Sequence, residues 1–388
     1  MATFEVLIYP VTIEPHPNAD NIELAIIGGY RSIIQKDTLK NGDLIAYIPE
    51  SAIVPDWLLE SMNLVGKLAG KQRNRVKAIR LRGILSQGLC YPLEYRTDIV
   101  DVDTQEKSDQ WVLVTSEIGG GVSAKAGDDV TELLGITKYE PVIPTCMGGE
   151  VFNAFGCTPK FDIENWKKWP DVLQDGEEVV FTEKLHGTWA CFGYHPDHTV
   201  PIVTSKGLSE KGLAFKFNDA NENNLYIKAF KATAEYNPED PVHGKEDIVT
   251  MHRRLGLSLT PFYILGEIYG PGVQDLTYGE TTPKFRAFAV YMGNPGYGNY
   301  LDYDLFTLLC ETLNIPMVPL LYKGPFSYDV MMEHTDGKEV VSGKEACIRE
   351  GIVINTEEER RDPLLGRVIL KSVSDKYLTR KGNTTEFN

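Results

Sequence analysis

The chain has 388 residues, 42% of them hydrophobic and 24% charged, with a formal charge of −16 at pH 7. That length favours two domains, each able to bury its own core. No apolar run approaches the roughly 18 residues needed to span a bilayer, and so acidic a chain is unsuited to coating nucleic acid indiscriminately, although a local basic patch can still bind it. Six scattered cysteines without a C-x-x-C pair argue against a zinc site or a disulfide framework and for reduced thiols. The N-terminus lacks the basic-then-apolar layout of a secretion signal. A monomer in the cytoplasm or another reducing intracellular compartment, without membrane contact, is expected.

The first third reads as all-β. Short strand-like runs at residues 4–9, 23–27 and 43–48 are separated by the turn chemistry of His16-Pro17-Asn18, Gly28-Gly29 and Asn41-Gly42. Strands at such intervals suggest a small barrel or sandwich. A basic cluster follows: Lys67, Lys71, Arg73, Arg75, Lys77, Arg80 and Arg82, with no acidic residue between them. It is either a solvated face or a set of phosphate-backbone contacts, and the latter would make affinity fall steeply with salt. Residues 80–88 alternate and then turn small and polar, as an edge strand entering a loop would. The glycine run 119–121 lacks the Gly-Lys-Ser/Thr of a phosphate-binding loop and reads as a hairpin or linker.

Two prolines in Thr137-Lys138-Tyr139-Glu140-Pro141-Val142-Ile143-Pro144 stiffen the chain and discourage helix. They divide it into a domain at 1–137, a linker at 138–160 and a second domain at 161–388. The second domain mixes elements. Leu301, Leu305, Leu308, Leu309 and Leu313 recur at helical spacing and predict an amphipathic core helix. Residues 222–257 read as mainly helical, interrupted by Pro238 and Pro241. Strands are predicted at 263–269, 285–291, 351–354 and 367–373. The class is α+β with substantial antiparallel sheet.

Between the apolar runs Val179-Val180-Phe181 and Trp189-Ala190-Cys191-Phe192 lies Glu183-Lys184-Leu185-His186-Gly187-Thr188. Strands on both sides would hold the lysine on a rigid frame, with Gly187 allowing a close turn. Lys184 is either a solvated charge or a nucleophilic amine. Glu267 inside an apolar strand, Glu350 just before one and Lys371 within another favour the second reading, because charges in half-buried strands are costly unless paired, metal-bound or facing a ligand. A neighbouring cation would lower the amine's pKa and expose a neutral nucleophile.

Several runs carry a family resemblance. Glu14-Pro15-His16-Pro17-Asn18-Ala19-Asp20-Asn21-Ile22-Glu23-Leu24 resembles the opening of tRNA-binding OB-fold domains. Glu183 to Thr188 resembles motif I of the covalent nucleotidyltransferases, in the His-Gly-Thr form of ATP-dependent RNA ligases. Lys206 after Thr204-Ser205 stands where motif Ia belongs, and Gly266-Glu267-Ile268-Tyr269-Gly270 resembles motif III. Phe285-Arg286-Ala287-Phe288 is similar to motif IIIa, Glu350-Gly351-Ile352-Val353-Ile354 to motif IV, and Leu370-Lys371 to motif V. An OB-like domain ahead of the catalytic one resembles one particular RNA ligase family.

The resemblance implies an N-terminal all-β OB-like barrel followed by an α+β adenylyltransferase domain of the ATP-grasp-like ligase type. It implies ATP and Mg²⁺ or Mn²⁺ as cofactors, and RNA as substrate: a nicked duplex or an RNA/DNA hybrid. Lys184 would carry AMP, with Lys371 on the α-phosphate and Glu350 organising the metal. Lys206 and Glu267 would hold the ribose, and Phe288 would stack on adenine or else be core. Glu183, His186 and Gly187 would orient the nucleotide. Two departures stand out: Val373 replaces a second motif V lysine, for which Lys376 is a candidate substitute, and Trp189 follows motif I where asparagine is common. Alternatives are a DNA ligase, a GTP-dependent capping guanylyltransferase and a non-catalytic RNA-binding protein. With all nucleotide motifs beyond the linker, removal of residues 1 to about 137 is expected to spare adenylation and impair sealing.

Overall fold

Turn residues between the first apolar runs fold them back antiparallel, so sequence neighbours become sheet neighbours. The computed structural model describes residues 4–100, 107–115, 121–139, 145–198, 200–233 and 260–380. The opening strands are β1 (Leu7–Pro10), β2 (Thr12–Pro15), β3 (Ile22–Ile27), β4 (Tyr30–Gln35), β5 (Leu44–Ile48), β6 (Ile79–Leu81), β7 (Ile84–Ser86) and β8 (Leu89–Pro92). One sheet runs β1-β5-β8 and another β2-β3-β4. Strand β5 is buried on both faces: Ile45 and Tyr47 pack with Val11, Ile27 and Tyr30, whereas Ala46 and Ile48 pack with Val6, Ile8 and Leu58. The expected barrel is corrected in one respect, since among the described residues these sheets do not join into one closed cylinder.

The basic segment forms a hairpin rather than an edge strand entering a loop. β6 and β7 pair through a two-residue turn in which Arg82 and Gly83 have φ of +49° and +89°, the left-handed pair that a tight hairpin requires. Strand pairings reach into the segment between the two units from both sides. Thr137–Lys138 pairs with Ala52–Ile53, and Val151–Asn153 already pairs with Leu213–Phe215 of the second unit. Residues 119 and 120, both prolines of the 137–144 stretch, and the region around Pro238 and Pro241 lie outside the described residues.

The second unit contains β9 (Glu164–Asn165), β10 (Glu178–Lys184), β11 (Thr188–Tyr194), β12 (Ile202–Ser205), β13 (Phe262–Tyr269), β14 (Lys284–Met292), β15 (Asn299–Tyr300), β16 (Leu320–Pro325), β17 (Gly351–Thr356) and β18 (Ile369–Val373). Its helices are α1 (Lys206–Glu210), α2 (Leu225–Thr233), α3 (Tyr303–Thr312), α4 (Tyr328–Thr335) and α5 (Asp375–Leu378). Two five-stranded sheets result, ordered β9-β18-β17-β10-β16 and β12-β11-β13-β14-β15. Among the described strands of these two sheets, β9 and β18 are the pair that runs parallel. Helices α2 and α3 cover the outer face of the second sheet, where Phe230, Phe306 and Cys310 meet Phe192, Ile264 and Val290. The predicted leucine face of α3 is rotated: Phe306 and Cys310 are buried, while Leu305 and Leu308 are 53% and 61% exposed. Five leucines at that spacing fit more than one stripe of a 3.6-residue period, and the aromatic ring took the core. Among the described residues no helix is long and apolar enough to cross a membrane.

The two units are in contact. Gly29 N donates to Lys167 O at 2.9 Å, Lys168 Nζ pairs with Glu5 at 2.9 Å, and Lys167 Nζ bonds Gln87 Oε1. The β6–β7 hairpin places Ala78 and Leu85 against Val373, Tyr377 and Leu378.

Strand alternation decides which face each motif residue takes. On β10, Glu183 lies opposite Ile352, and Lys184 opposite Gly351. Phe181, Ile352 and Leu370 pack on the outer face with Met331 of α4, and Glu183 shares their side. Its Oε2 accepts from Val340 N at 2.8 Å. Burial pushes the Glu183 carboxyl up to about 7, with the Val340 N–H and Arg349 pulling the other way. A carboxyl raised from 4.5 stabilises the fold fully below pH 4.5 and loses that contribution as the pH rises through 7. Glu183→Gln keeps an acceptor for Val340 N without the charge. The wild type should therefore lose roughly 3 kcal/mol relative to this variant between pH 4.5 and 8. Parallel stability–pH curves in urea melts would contradict the assignment.

Candidate active site

The register of β10 on β17 brings a lysine and a carboxylate close together. Lys184 ends β10 opposite Gly351, the first residue of β17, so Glu350 emerges one position beyond it. Lys184 Nζ lies 2.7 Å from Glu350 Oε1, with side chains 17% and 1% exposed. Thr182 faces Val353, and Val353 faces Lys371. Directly paired residues share a face and alternate positions repeat it. Lys184, Val353 and buried Lys371 therefore all point toward the second sheet. From that sheet, Trp189 pairs with Glu267, and both lie on the face of Cys191, Leu265 and Tyr263, which meets Val353 and Ile369. Phe288 joins the same cluster. Lys206 follows β12 as the first residue of α1, whose N-cap Ser205 accepts from Leu208 N. Its Nζ sits 5.9 Å from the Trp189 ring centre. The structure thus brings Lys184, Glu350, Lys371, Glu267, Phe288 and Lys206 to one cleft.

Glu183 is the motif residue it does not bring there, because strand alternation turns it outward. Gly187 is needed for a reason other than a tight turn: a Cβ there would collide with the Ile268 carbonyl oxygen and crowd Glu267 Cγ. The glycine lets the connection lie directly on β13. His186 is wholly buried and held at three points. Its backbone N donates to Tyr278 Oη at 2.6 Å, its Nε2 lies 2.6 Å from Asp275 Oδ1, and its Nδ1 lies 2.8 Å from Tyr377 Oη. The carboxylate can only accept, so these partners assign the proton to Nε2 and make Nδ1 the acceptor of the tyrosine O–H. Arg380 clasps Asp275 at 2.7 Å. Burial, then the Arg380 charge, push the imidazole down to about 4 against the pull of Asp275. His186 is neutral at pH 7.

Tyr278, Asp275, Tyr377 and Arg380 were not singled out from the sequence. They lie 89 to 194 residues from His186, and no local pattern marks such partners. Lys376 is 67% exposed and pairs with Asp336 at 3.4 Å. Val373 packs on the hairpin.

The basic cluster divides. Lys67 Nζ donates to Asn63 O, and Arg73 to Gly66 O. The Arg75 guanidinium lies 4.3 Å from the Tyr139 ring centre. Arg80 reaches α5, 3.7 Å from Asp375 and 3.4 Å from Thr379 Oγ1. Lys71 and Arg82 are exposed. Half-buried Lys77 feels Arg75 and Arg380 as neighbouring charges, and burial foremost lowers its pKa. The hairpin end of this basic surface therefore adjoins the helix that holds His186.

Glu350 fits a hard divalent cation: it is a buried carboxylate beside Lys184, and oxygen donors suit Mg²⁺ or Mn²⁺. Away from the cleft, ligand atoms of Cys157, His195 and Asp197 lie within 4.8 Å of one another, a grouping the sequence reading did not foresee. There His195 Nδ1 already accepts from Asp197 N at 3.2 Å, and Asp197 is 78% exposed.

Similar folds are known. A lysine-to-alanine mutant of Naegleria gruberi RNA ligase, solved with ATP and Mn, is 23% identical with a TM-score of 0.71, covering 96% of this chain and 98% of that one. The Naegleria gruberi RNA ligase with PPi is 23% identical with a TM-score of 0.72, covering 97% and 98%. At such identity the likeness establishes the shared fold. No curated protein matches the chain. An OB-fold domain model matches residues 7–93, and the RNA ligase model matches residues 177–373. The second match covers just over half of the chain and takes in β10, β13, β14, β17 and β18 with every cleft residue described above: the chain belongs to the RNA ligase family.

Proposed function

We propose that the chain seals 3′-hydroxyl/5′-phosphate breaks in RNA with ATP, and that nicks in duplexes are its substrate. The observation that carries this reading is a lysine held 2.7 Å from a buried carboxylate on the cleft face that also bears Lys371. The Naegleria gruberi relatives solved with ATP and Mn, AMP and Mn, or PPi support the same cofactors here.

In the first step the Lys184 amine attacks the α-phosphorus of ATP, forming a P–N bond as the bond to pyrophosphate breaks. Glu350 Oε1, already hydrogen-bonded to Nζ, is the acceptor placed to hold the departing proton. Lys371 neutralises charge on the α-phosphate as the phosphorus becomes pentacoordinate. Lys206 and Glu267 hold the ribose, and Phe288 stacks on the base. Mg²⁺ or Mn²⁺, when bound by Glu350, screens the phosphate oxygens. AMP then passes from Lys184 to the 5′-phosphate of the RNA, and the 3′-hydroxyl displaces it to form the phosphodiester. Neutral His186 keeps cationic charge away from the amine while its three partners fix the motif I connection.

The first test is mass spectrometry of the Lys184 peptide after incubation with ATP or GTP and magnesium. An adenylate mass on Lys184, lost in Lys184→Ala together with nick sealing, is expected. A guanylate adduct without an adenylate adduct would reject the ligase reading.

The contact between hairpin and α5 replaces the expectation that the N-terminal domain is dispensable for adenylation. Leu85 packs on the Tyr377 that bonds His186. Removing residues 1–137 should lower Lys184 adenylation at least severalfold, and Leu85→Ala should lower it less, at a stability cost of about 2–4 kcal/mol. Undiminished adenylation in the truncated chain would show that α5 holds without the hairpin.

RNA is expected to lie along the basic surface of the first unit. Lys71→Ala and Arg82→Ala should each weaken RNA binding across sequences and reduce the slope of log affinity against log salt by about 1. An unchanged slope in both would place the phosphates elsewhere.

A further inference from the structure

Just before β9, outside every motif, Phe161 and Asp162 reach into the cleft. Asp162 Oδ1 accepts from Lys206 Nζ at 2.8 Å, and the Phe161 carbonyl oxygen accepts from the same ammonium. The Phe161 ring stacks on Phe288, with centres 4.8 Å apart and planes at 29°. Phe161 is only 5% exposed and packs with Cys191, Tyr263 and Leu265, so it is a fixed wall behind Phe288.

We propose that Asp162 is a positioning residue for nucleotide binding, acting through Lys206. An ammonium has three N–H donors. Two are fixed by the Phe161–Asp162 segment, leaving one for a ribose hydroxyl. The Trp189 ring bounds the same ammonium from the cleft side. A flexible lysine loses rotamer freedom when it grips a ligand, and one already fixed by the protein does not incur that loss at the binding step. Glu210 Oε1, 3.7 Å from Nζ, is too far to replace Asp162 as an acceptor. The segment ahead of the first motif is thus part of the nucleoside pocket, a conclusion that rests on Lys206 contacting the ribose as proposed above.

The test is the ATP dependence of Lys184 adenylation in the full chain. Asp162→Ala should raise KM for ATP about tenfold with kcat changed less than about twofold, and Asp162→Glu should restore most of the loss. In a Lys206→Ala background, Asp162→Ala should add less than about twofold, because the pair acts as a unit. A thermal melt of Asp162→Ala close to that of the wild type checks that the variant folds. If Lys206→Ala raises KM but Asp162→Ala does not, or if the Asp162 effect persists in full without Lys206, this proposal fails and the ribose assignment stands. An unchanged KM in Lys206→Ala would overturn the ribose assignment itself, and this proposal with it.

Discussion

A lysine and a glutamate of opposite charge are held 2.7 Å apart where the carboxylate is almost wholly withdrawn from water. Such a pair does not come free. Desolvating both groups costs more than most surface ion pairs return, and deleting one partner of a buried pair typically costs about 3–5 kcal/mol because the other charge is stranded. Pairing of β10 with β17 at Lys184 and Gly351 sets Glu350 just ahead of β17, within reach of the amine. The apolar contacts of Phe181, Ile352, Ile354 and Leu370 behind the sheet fix that register, since a one-residue slip would turn all of them into the cleft. The position of Lys184 in the sheet is therefore a consequence of how the outer core packs.

The same reasoning links the two units. Strand β18 carries Lys371 on the cleft side and Val373 at its end, and the chain continues at once into α5. Tyr377 from that helix bonds the motif I histidine, while Leu378 and Val373 rest on Ala78 and Leu85 of the first unit. A hairpin near residue 80 thus supports a ring at residue 186 through one buried helix. Half-buried Lys167, bonded to Gln87, and the Gly29 to Lys167 backbone bond form a second tie. The basic hairpin and the motif I histidine are thus linked through α5 although their residues lie far apart in sequence.

Much of this was legible beforehand, for a reason that also sets its limit. Strand periodicity and turn chemistry are local, so the strand at 22–27, those at 262–269 and 284–292, and the positions of Lys184, Glu267, Glu350 and Lys371 on strands or at their ends could be read directly. Which face a residue takes depends on the partner strand. Glu183 adjoins Lys184 in sequence yet points the opposite way, toward Val340. Leu305 and Leu308 fitted a helical stripe as well as Phe306 did, and only the packing of α3 on the second sheet chose between them. Gly187 was recognised, but its function is to admit the backbone of β13, a contact between segments about 80 residues apart. The clasp of Asp275, Tyr377 and Arg380 on His186 left no local trace at all.

Burial around the motif I strand also works in two opposite directions. It pushes His186 down from 6.5 to about 4 and Glu183 up from 4.5 to about 7, so both are driven toward their neutral forms. Neutral histidine contributes stability that is full above pH 6.5 and is lost as the pH falls toward 4. Protonated Glu183 contributes stability that is full below pH 4.5 and is lost as the pH rises toward 7. Across the overlap of these windows the two slopes have opposite signs and largely cancel. The strand can thus bury an acid and a base on either side of Lys184 without making the fold strongly pH-dependent there. Glu350, 2.7 Å from that amine, is the carboxylate that pairs with it.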